Sequence, residues 1–288
     1  MEPLVYLNGA VVPYAEARIP VEDRGFLFGD GIYEVIRIYG GRPFAFERHF
    51  ERLRRSAEEI RLALDLDRLR KDALDLIARQ GLDEATLYLQ ATRGVAVRNH
   101  AFPVAPVTSV VMFVRPAAAP SAALLQGGVR CITVPDDRWA RCSIKSINLL
   151  PNVLAKQQAT EAGCYEALYL RDGYLTEGSS SNCFAVFGGE LWTAPKSNYI
   201  LGGITRDVLL ELARADGIPV RETPVAGRRL ASADEVLISS TTAEVLPVVE
   251  LDGQPIGTGR PGPVWNRLYQ LLQRTITAEC RPEVIETR

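Results

Sequence analysis

Lys145 is a side chain of this sequence that could act as a nucleophile toward an aldehyde. It lies in the stretch 141–154, which contains no acidic residue that could pair with the ammonium group, and it is the only lysine between Lys71 and Lys156. A lysine amine that has lost its proton attacks aldehydes to form covalent adducts. A lone lysine just before a helix is more often a solvated surface charge, so this stretch by itself supports both interpretations.

Two other stretches have the composition of a phosphate site. Gly202-Gly203-Ile204-Thr205 opens a predicted helix, and the unpaired N–H groups and dipole of a helix N-terminus favour an anion. Ser240-Thr241-Thr242 follows a predicted strand and offers hydroxyl and N–H groups, although a plain Ser/Thr turn explains it equally well. The Gly-Lys-Ser/Thr sequence of a nucleotide P-loop is missing, which disfavours a nucleoside triphosphate.

Further polar residues could complete a site for a charged small molecule. Glu177 is followed by Gly178 and three serines, and a carboxylate in such a loop either caps a turn or, if buried, keeps a ring nitrogen protonated. Arg98, His100 and Tyr33 could together bind a carboxylate through charge-assisted hydrogen bonds. An Arg-x-His loop considered alone is more often ordinary surface.

The elements that must position these residues are strands and helices in irregular order. A β-hairpin with an Asn8-Gly9 turn is predicted near the start of the chain, and residues 32–39 alternate with the period of a strand. Residues 24–31 are predicted to form a loop. Further strands are predicted at 86–92, 107–114, 129–134, 166–171, 174–176, 183–187, 190–193 and 235–239, and helices at 47–64, 67–79, 151–163, 206–215 and 264–278. The order lacks a regular βαβ alternation and therefore predicts an α+β protein in two parts.

The domain boundaries are predicted from a stretch rich in proline and alanine at 115–121. We expect an N-terminal α+β domain at 1–116, a linker at 117–122 and a C-terminal domain at 123–288. The tail beyond Pro282 is expected to fray.

Composition excludes several classes of function. The net charge of −2 and the pI of about 5.9 argue against nucleic acid as the main partner. No apolar run is long enough to span a membrane, and no secretory signal is evident. The five cysteines are odd in number and form no Cys-x-x-Cys, so we expect no disulfide framework, no metal site and a cytoplasmic location.

Nearly the whole chain resembles the fold-type IV aminotransferases that depend on pyridoxal 5'-phosphate (PLP), and among them most nearly the D-amino acid aminotransferases. The matching blocks are Asp23-Arg24-Gly25, Phe28-Gly29-Asp30-Gly31-Ile32-Tyr33-Glu34-Val35, Arg52-Leu53, Thr92-Arg93-Gly94, Arg98-x-His100-x-Phe102-Pro103, Ile144-Lys145-Ser146-Ile147-Asn148-Leu149-Leu150, Leu154-Ala155-Lys156-Gln157, Gly163-Cys164-Tyr165-Glu166, Thr176-Glu177-Gly178-Ser179-Ser180-Ser181-Asn182, Gly203-Ile204-Thr205-Arg206 and Ser240-Thr241-Thr242.

The resemblance implies a two-domain fold with a smaller N-terminal α/β domain and a larger C-terminal PLP-binding domain of mixed strands with helices. It implies that Lys145 binds the cofactor covalently and that Glu177 pairs with its ring nitrogen. The other cofactor residues it implies are Arg52, Ile204, Thr205, Ser240 and Thr241 at the phosphate, Leu201 on the ring face, and Ser180 as an ordering residue near Lys145.

The same resemblance implies the substrates. Tyr33, Arg98 and His100 would bind the substrate carboxylate, the last two from the partner subunit of a homodimer with its site at the subunit interface. The reaction would transfer an amino group between a D-amino acid, such as D-alanine or D-glutamate, and 2-oxoglutarate or pyruvate, with ping-pong kinetics.

Other activities share this scaffold. Branched-chain aminotransferases carry a tyrosine five residues after the reactive lysine, where this chain has Leu150. An (R)-amine transaminase and an aminodeoxychorismate lyase would use the same Lys145 and Glu177. A hydrolase with a serine nucleophile from residues 179–181 and a non-enzymatic binding protein are the alternatives from other classes.

Overall fold

A computed structural model gives the fold and describes residues 3–281. The chain divides into two compact units. The first takes in the residues up to Ala118, the segment Ile144–Asn148 and the chain from Ile276 onward, and the second consists of Ala119–Ser143 and Leu149–Thr275. The domain boundaries at 1–116, 117–122 and 123–288 stay a prediction, and the tail expected to fray lies outside the described residues.

The first unit contains an antiparallel sheet of six strands within the described residues. The strands are β1 (Leu4–Leu7), β2 (Ala10–Pro13), β3 (Gly31–Tyr39), β4 (Arg42–Pro43), β5 (Ala85–Thr92) and β6 (Ser109–Pro116). Their order across the sheet is β2-β1-β6-β5-β3-β4. The predicted hairpin is confirmed, with Leu7 opposite Ala10 around the Asn8-Gly9 turn.

Three helices accompany this sheet: α1 (Arg24–Phe28), α2 (Phe46–Glu59) and α3 (Leu66–Gln80). The core between sheet and helices includes Ile32 and Ile36 from β3, Leu53 from α2 and Leu76 from α3. The prediction of a loop over 24–31 is wrong for its first half. The Asp23 side chain accepts the N–H of Gly25 and caps a short helix there.

The second unit contains a larger, mixed sheet, which has ten strands within residues 3–281. They are β7 (Val129–Pro135), β8 (Glu166–Arg171), β9 (Tyr174–Gly178), β10 (Asn182–Phe187), β11 (Glu190–Thr193), β12 (Val220–Glu222), β13 (Val225–Ala226), β14 (Glu235–Ser240), β15 (Glu244–Leu251) and β16 (Gln254–Pro255). The order is β12-β11-β10-β14-β15-β7-β8-β9-β13, with β16 beside β15. Strand β15 was not predicted, since Pro247 within it is atypical of a central strand.

The remaining helices are α4 (Ala122–Gly127), α5 (Leu150–Glu161), α6 (Ile204–Ala215) and α7 (Pro263–Cys280). Helices and strands are thus mixed without regular alternation, and the predicted α+β class is confirmed. Of the helices in the described part of the chain, none combines the length and apolar character that spanning a membrane requires.

Candidate active site

The backbone of Lys145 is fixed against the free edge of β3 in the first unit. Its carbonyl accepts the N–H of Tyr33 at 2.9 Å, and the N–H of Ile147 donates to the carbonyl of Gly31 at 3.2 Å. On its other side, the N–H of Lys145 donates to Ser56 Oγ at 3.2 Å. These hydrogen bonds hold the backbone on both sides of Lys145 and so fix the position of its Cα atom.

The Lys145 side chain is half-buried and runs along an aromatic stack. Its Nζ lies 4.2 Å from the centre of the Tyr33 ring. Tyr33 stacks on Tyr88 with 5.7 Å between ring centres, and Tyr88 stacks on Phe113 with 4.9 Å between centres. Because three neighbouring strands supply these rings, the face on which the lysine amine rests is well supported.

Glu34 lies one residue beyond Tyr33 and points to the opposite, buried face of β3. Arg52 donates from Nε and Nη2 to the two carboxylate oxygens of Glu34, at 2.7 and 2.8 Å. His49 Nδ1 lies 2.7 Å from Oε2 of the same carboxylate. Arg52, expected at the cofactor phosphate, is therefore oriented by a buried ion pair in the unit that carries Lys145.

The charges of this cluster are set by mutual contacts. Burial would raise the pKa of Glu34, but the charge and hydrogen bonds of Arg52, helped by His49, hold that pKa well below its usual range. Burial lowers the pKa of His49, and the positive charges of Arg52 and Lys145 lower it further against the opposing effect of Glu34. At neutral pH the cluster thus consists of an ionised Glu34, a charged Arg52 and a neutral His49.

Arg98 and His100 lie exposed in the loop that follows β5. Arg24 anchors this loop from α1 by donating from Nη1 to the Asn99 carbonyl at 2.5 Å and from Nη2 to the His100 carbonyl at 3.3 Å. The Arg98 guanidinium lies 5.1 Å from the Phe28 ring centre, and the His100 ring lies 5.5 Å from it. Within residues 3–281 the contacts described for Arg98 and His100 are with α1, and none of these contacts involves Tyr33 or Lys145.

Glu177 is buried at the end of β9 in the second unit, and both of its carboxylate oxygens accept hydrogen bonds. Arg138 Nη1 donates to Oε1 at 2.5 Å, while the N–H of Leu201 and Asn182 Nδ2 donate to Oε2 at 2.9 and 3.1 Å. Burial raises the pKa of Glu177 to about 7, against the lowering effects of Arg138 and the Leu201 N–H. The carboxyl therefore titrates near neutral pH, where a small electrostatic change alters its charge.

Arg138 is itself held by a second carboxylate. It donates from Nε and Nη2 to the two oxygens of Asp136 at 2.8 and 2.9 Å, and Arg171 donates to Asp136 at 3.0 Å. Burial would raise the pKa of Asp136, but the hydrogen bonds from Arg138 and Arg171 lower it to about 2. Asp136 is thus ionised at neutral pH and orients the guanidinium that reaches Glu177.

The head of α6 has the form expected of an anion site. Gly203 is its N-cap residue and has no side chain, so the first-turn N–H groups, including those of Ile204 and Thr205, donate no hydrogen bond to a capping side chain. Ser240 ends β14, and its Oγ accepts the N–H of Ala243 at 3.0 Å, as in the Ser/Thr turn that the sequence also allowed. Thr241 follows in that turn and is half-buried.

Comparison with known proteins identifies the family to which this chain belongs. The model of the amino-transferase class IV family matches residues 31–251. The chain belongs to the class IV aminotransferases. It is 43% identical over 274 residues to a D-alanine aminotransferase of Staphylococcus aureus, covering 94% of this chain and 97% of the relative. A D-alanine aminotransferase of Bacillus licheniformis is also 43% identical, covering 97% of this chain and 99% of the relative.

Solved structures of two branched-chain aminotransferases are similar to this aminotransferase. One, a T.th. enzyme with pyridoxamine 5'-phosphate, has a TM-score of 0.90 and 30% identity and covers 98% of this chain and 96% of that chain. The other, from Escherichia coli, has a TM-score of 0.87 and 30% identity, with 94% and 92% covered. These neighbours confirm the predicted fold type.

The residues of this aminotransferase fit the cofactor of its class, PLP, and the predicted cofactor is confirmed. A Cβ added to Gly203 would lie 1.9 Å from Asn182 Oδ1, so only glycine allows the close approach at the helix head. A buried carboxylate with a pKa near 7 suits a pyridine nitrogen. No group of three or more His, Cys, Asp and Glu side chains in the described residues is arranged to hold a metal ion.

Ser180 and Leu201, the two other predicted cofactor residues, both lie in the second unit. The backbone N–H and the hydroxyl of Ser180 donate to Glu166 Oε2, at 3.2 and 2.8 Å, and Ser181 donates to the same oxygen at 3.0 Å. Leu201 is half-buried and lies just before the head of α6, and its N–H donates a hydrogen bond to Glu177 Oε2. Glu166 thus orders the serine loop that follows Glu177.

Sequence reasoning missed the residues that orient the predicted ones. Glu34 had a detectable signal, because it is the only charged residue in the buried phase of β3 that contains Ile32, Ile36 and Ile38. His49 likewise lies in the buried phase of α2. Arg138 had no such signal, since it follows two aspartates in what looks like an ordinary polar loop.

Proposed function

We propose that this aminotransferase exchanges the amino group between a D-amino acid, such as D-alanine or D-glutamate, and a 2-oxo acid, such as 2-oxoglutarate or pyruvate. The observation that supports the D-configuration most strongly is the similarity to D-alanine aminotransferases, at 43% identity over 94% of the chain. The branched-chain structures are more distant, at 30% identity. Leu150 in place of the tyrosine of branched-chain enzymes points in the same direction.

Lys145 is assigned as the catalytic residue. When bound, PLP supplies an aldehyde that reacts with amines and a ring that accepts the electron pair left when the α-proton is removed. Lys145 Nζ would hold the cofactor covalently and would take and return the α-proton of the substrate. Its fixed backbone and its contact with Tyr33, 4.2 Å from Nζ to the ring centre, define the position of this atom.

Glu177 is assigned to the ring nitrogen. A carboxylate that faces a pyridine nitrogen favours the protonated ring, which accepts electrons better than the neutral ring. Arg138 favours the ionised form of Glu177, and so acts through Glu177 on the ring.

The phosphate is assigned to Arg52, to the N–H groups of Ile204, Thr205 and Thr241, and to Ser240. The helix dipole and first-turn N–H groups of α6 suit a dianion. Leu201 is assigned to the ring face, and Ser180 remains assigned as an ordering residue near the cofactor.

The substrate carboxylate is assigned to Tyr33, Arg98 and His100, with Arg98 and His100 supplied by the partner subunit of a homodimer. This assignment is supported by the exposure of both side chains in the single chain, where their contacts are with Phe28 and Arg24. The neighbouring Val97 is also 82% exposed, as expected of a residue that a second copy covers. A cytoplasmic location is proposed because all five cysteines, which lie within the described residues, are free thiols.

The first test of this function is the visible absorption band of the purified protein. Purified protein should be yellow, and Lys145→Ala should abolish the visible band, since Nζ would be the atom that holds the cofactor. Lys71→Ala, which changes an exposed lysine of α3, should leave the band unchanged. A colourless protein that gains no visible band when PLP is added would contradict the proposal.

A further inference from the structure

Asn182 connects two parts of the second unit to which different ends of the cofactor are assigned. Its Nδ2 donates to Glu177 Oε2 at 3.1 Å and to the carbonyl of Leu201 at 2.9 Å. The N–H of Leu201 donates to the same Glu177 oxygen at 2.9 Å. These three hydrogen bonds form a closed ring in which each residue contacts the other two.

The other end of the Asn182 amide abuts the start of α6. A Cβ on Gly203 would lie 1.9 Å from Asn182 Oδ1, which shows how closely the amide packs on the N-cap residue. Arg206, in the first turn of α6, is fully buried, and its Nη2 donates to the Ala194 carbonyl at 2.8 Å. The helix head is therefore packed on Asn182 on one side and anchored by Arg206 on another.

We propose that Asn182 is a positioning residue that sets the spacing between the Glu177 carboxylate and the head of α6. This inference rests on the proposed function, in which Glu177 contacts the ring nitrogen and the α6 head contacts the phosphate. Two groups held at a fixed separation bind a two-ended ligand far more tightly than the same groups with a loose separation. Asn182 thereby makes the two contacts act together on one molecule.

Asn152, in the first turn of α5, provides a matched control because it contacts the serine loop that precedes Asn182. Its Nδ2 donates to the carbonyl of Ser179 at 2.8 Å, so Asn152→Ala also removes a side-chain amide that supports this loop. The hydrogen bond of Asn152 does not involve Glu177 or α6. A difference between Asn182→Ala and Asn152→Ala therefore reports on the spacing and not on loop support in general.

The experiment measures the affinity of the apoprotein for PLP and, separately, for inorganic phosphate. In Asn182→Ala the Kd for PLP should rise by at least about tenfold, while the Kd for inorganic phosphate changes by less than about threefold, because only the two-ended ligand depends on the spacing. Asn152→Ala should change both constants by less than about threefold. If Asn182→Ala does not fold, Asn182→Leu keeps a similar shape, removes the donor without adding a charge next to Glu177 and the α6 head, and should give the same pattern.

A spectroscopic readout separates positioning from mere support. Loss of the Asn182 donor removes a hydrogen bond from Glu177 Oε2 and so raises the pKa of that carboxyl. The pH at which the visible band of the loaded protein changes should therefore shift in Asn182→Ala and stay constant in Asn152→Ala.

Two results would overturn the inference while leaving the proposed function intact. One is an unchanged affinity of Asn182→Ala for PLP, and the other is an equal loss of affinity for PLP and inorganic phosphate. Failure of the wild-type protein to bind PLP would instead contradict the proposed function, and the inference with it.

Discussion

Arg138 Nη1 donates to Glu177 Oε1 at 2.5 Å, while the same guanidinium binds both oxygens of Asp136. The pair is buried, with the Arg138 and Glu177 side chains 5% and 7% exposed. In such an environment the charge of Glu177 depends on its partner, because burial alone favours the neutral acid. Arg138 therefore sets the charge of Glu177, the residue proposed to contact the cofactor ring nitrogen.

Arg138→Met should move the acid limb of the kcat–pH profile to higher pH. Without the guanidinium, burial raises the pKa of Glu177 further above 7, so the carboxylate needed at the ring nitrogen forms only in more alkaline solution. We expect kcat with D-alanine at pH 7 to fall by at least about tenfold, or about 1.4 kcal/mol in the barrier. Steady-state kinetics between about pH 6 and about 9 measure both effects.

Arg171→Met is the control for this variant. Arg171 donates to Asp136 at 3.0 Å, as Arg138 does, but its hydrogen bonds are to Asp136 and the Arg138 carbonyl. Its loss should leave the acid limb in place. An equal shift in both variants would mean that Asp136, and not the Arg138–Glu177 contact, sets the profile.

The apoprotein should lose stability as the pH rises from about 4.5 to about 7, relative to Glu177→Gln. The pKa of Glu177 is raised from 4.5 in the free residue to about 7 by burial, so the folded state binds more protons than the unfolded state within this window. The free energy of unfolding then falls as the pH rises. Urea denaturation of both apoproteins at several pH values measures the difference, and a constant difference across the window would contradict the assigned pKa.

Mixed dimers should reveal whether Arg98 acts across a subunit interface. When Lys145→Ala and Arg98→Ala subunits are unfolded together and refolded, a mixed dimer has one site with both native residues if Arg98 comes from the partner. Random pairing should restore about a quarter of wild-type activity with D-amino acids, since about half the dimers are mixed and each has one intact site. If Arg98 acts within its own chain, the mixture stays inactive.

The residues proposed to do chemistry could be predicted from the sequence, whereas most of those that orient them could not. Lys145 stood out because its neighbours lack acidic residues, and Glu177 because it precedes a glycine and three serines. Arg138 and Asn182 become informative only through contacts made after the chain folds, at 39 and 5 residues from Glu177 along the sequence. The spacing of residues along the sequence does not predict contacts of this kind.

The sequence also did not predict that the segment Ile144–Asn148 belongs to the first unit. This segment follows β7 and precedes α5, both of which belong to the second unit, and its composition does not distinguish it from either. Its assignment comes from the hydrogen bonds of Lys145 and Ile147 to Tyr33 and Gly31 at the edge of β3. The pairing partner of a short extended segment depends on the tertiary fold and cannot be deduced from local propensity.

Single half-reactions show whether Lys145 deprotonates D-amino acids. The PLP-loaded enzyme is mixed with D-alanine, D-glutamate, L-alanine or L-leucine without a 2-oxo acid, and the loss of the visible band is followed. We expect rapid loss of the band with the D-amino acids and little change with the L-enantiomers. Rapid loss with L-leucine, at a rate comparable to D-alanine, would contradict it and favour a branched-chain enzyme.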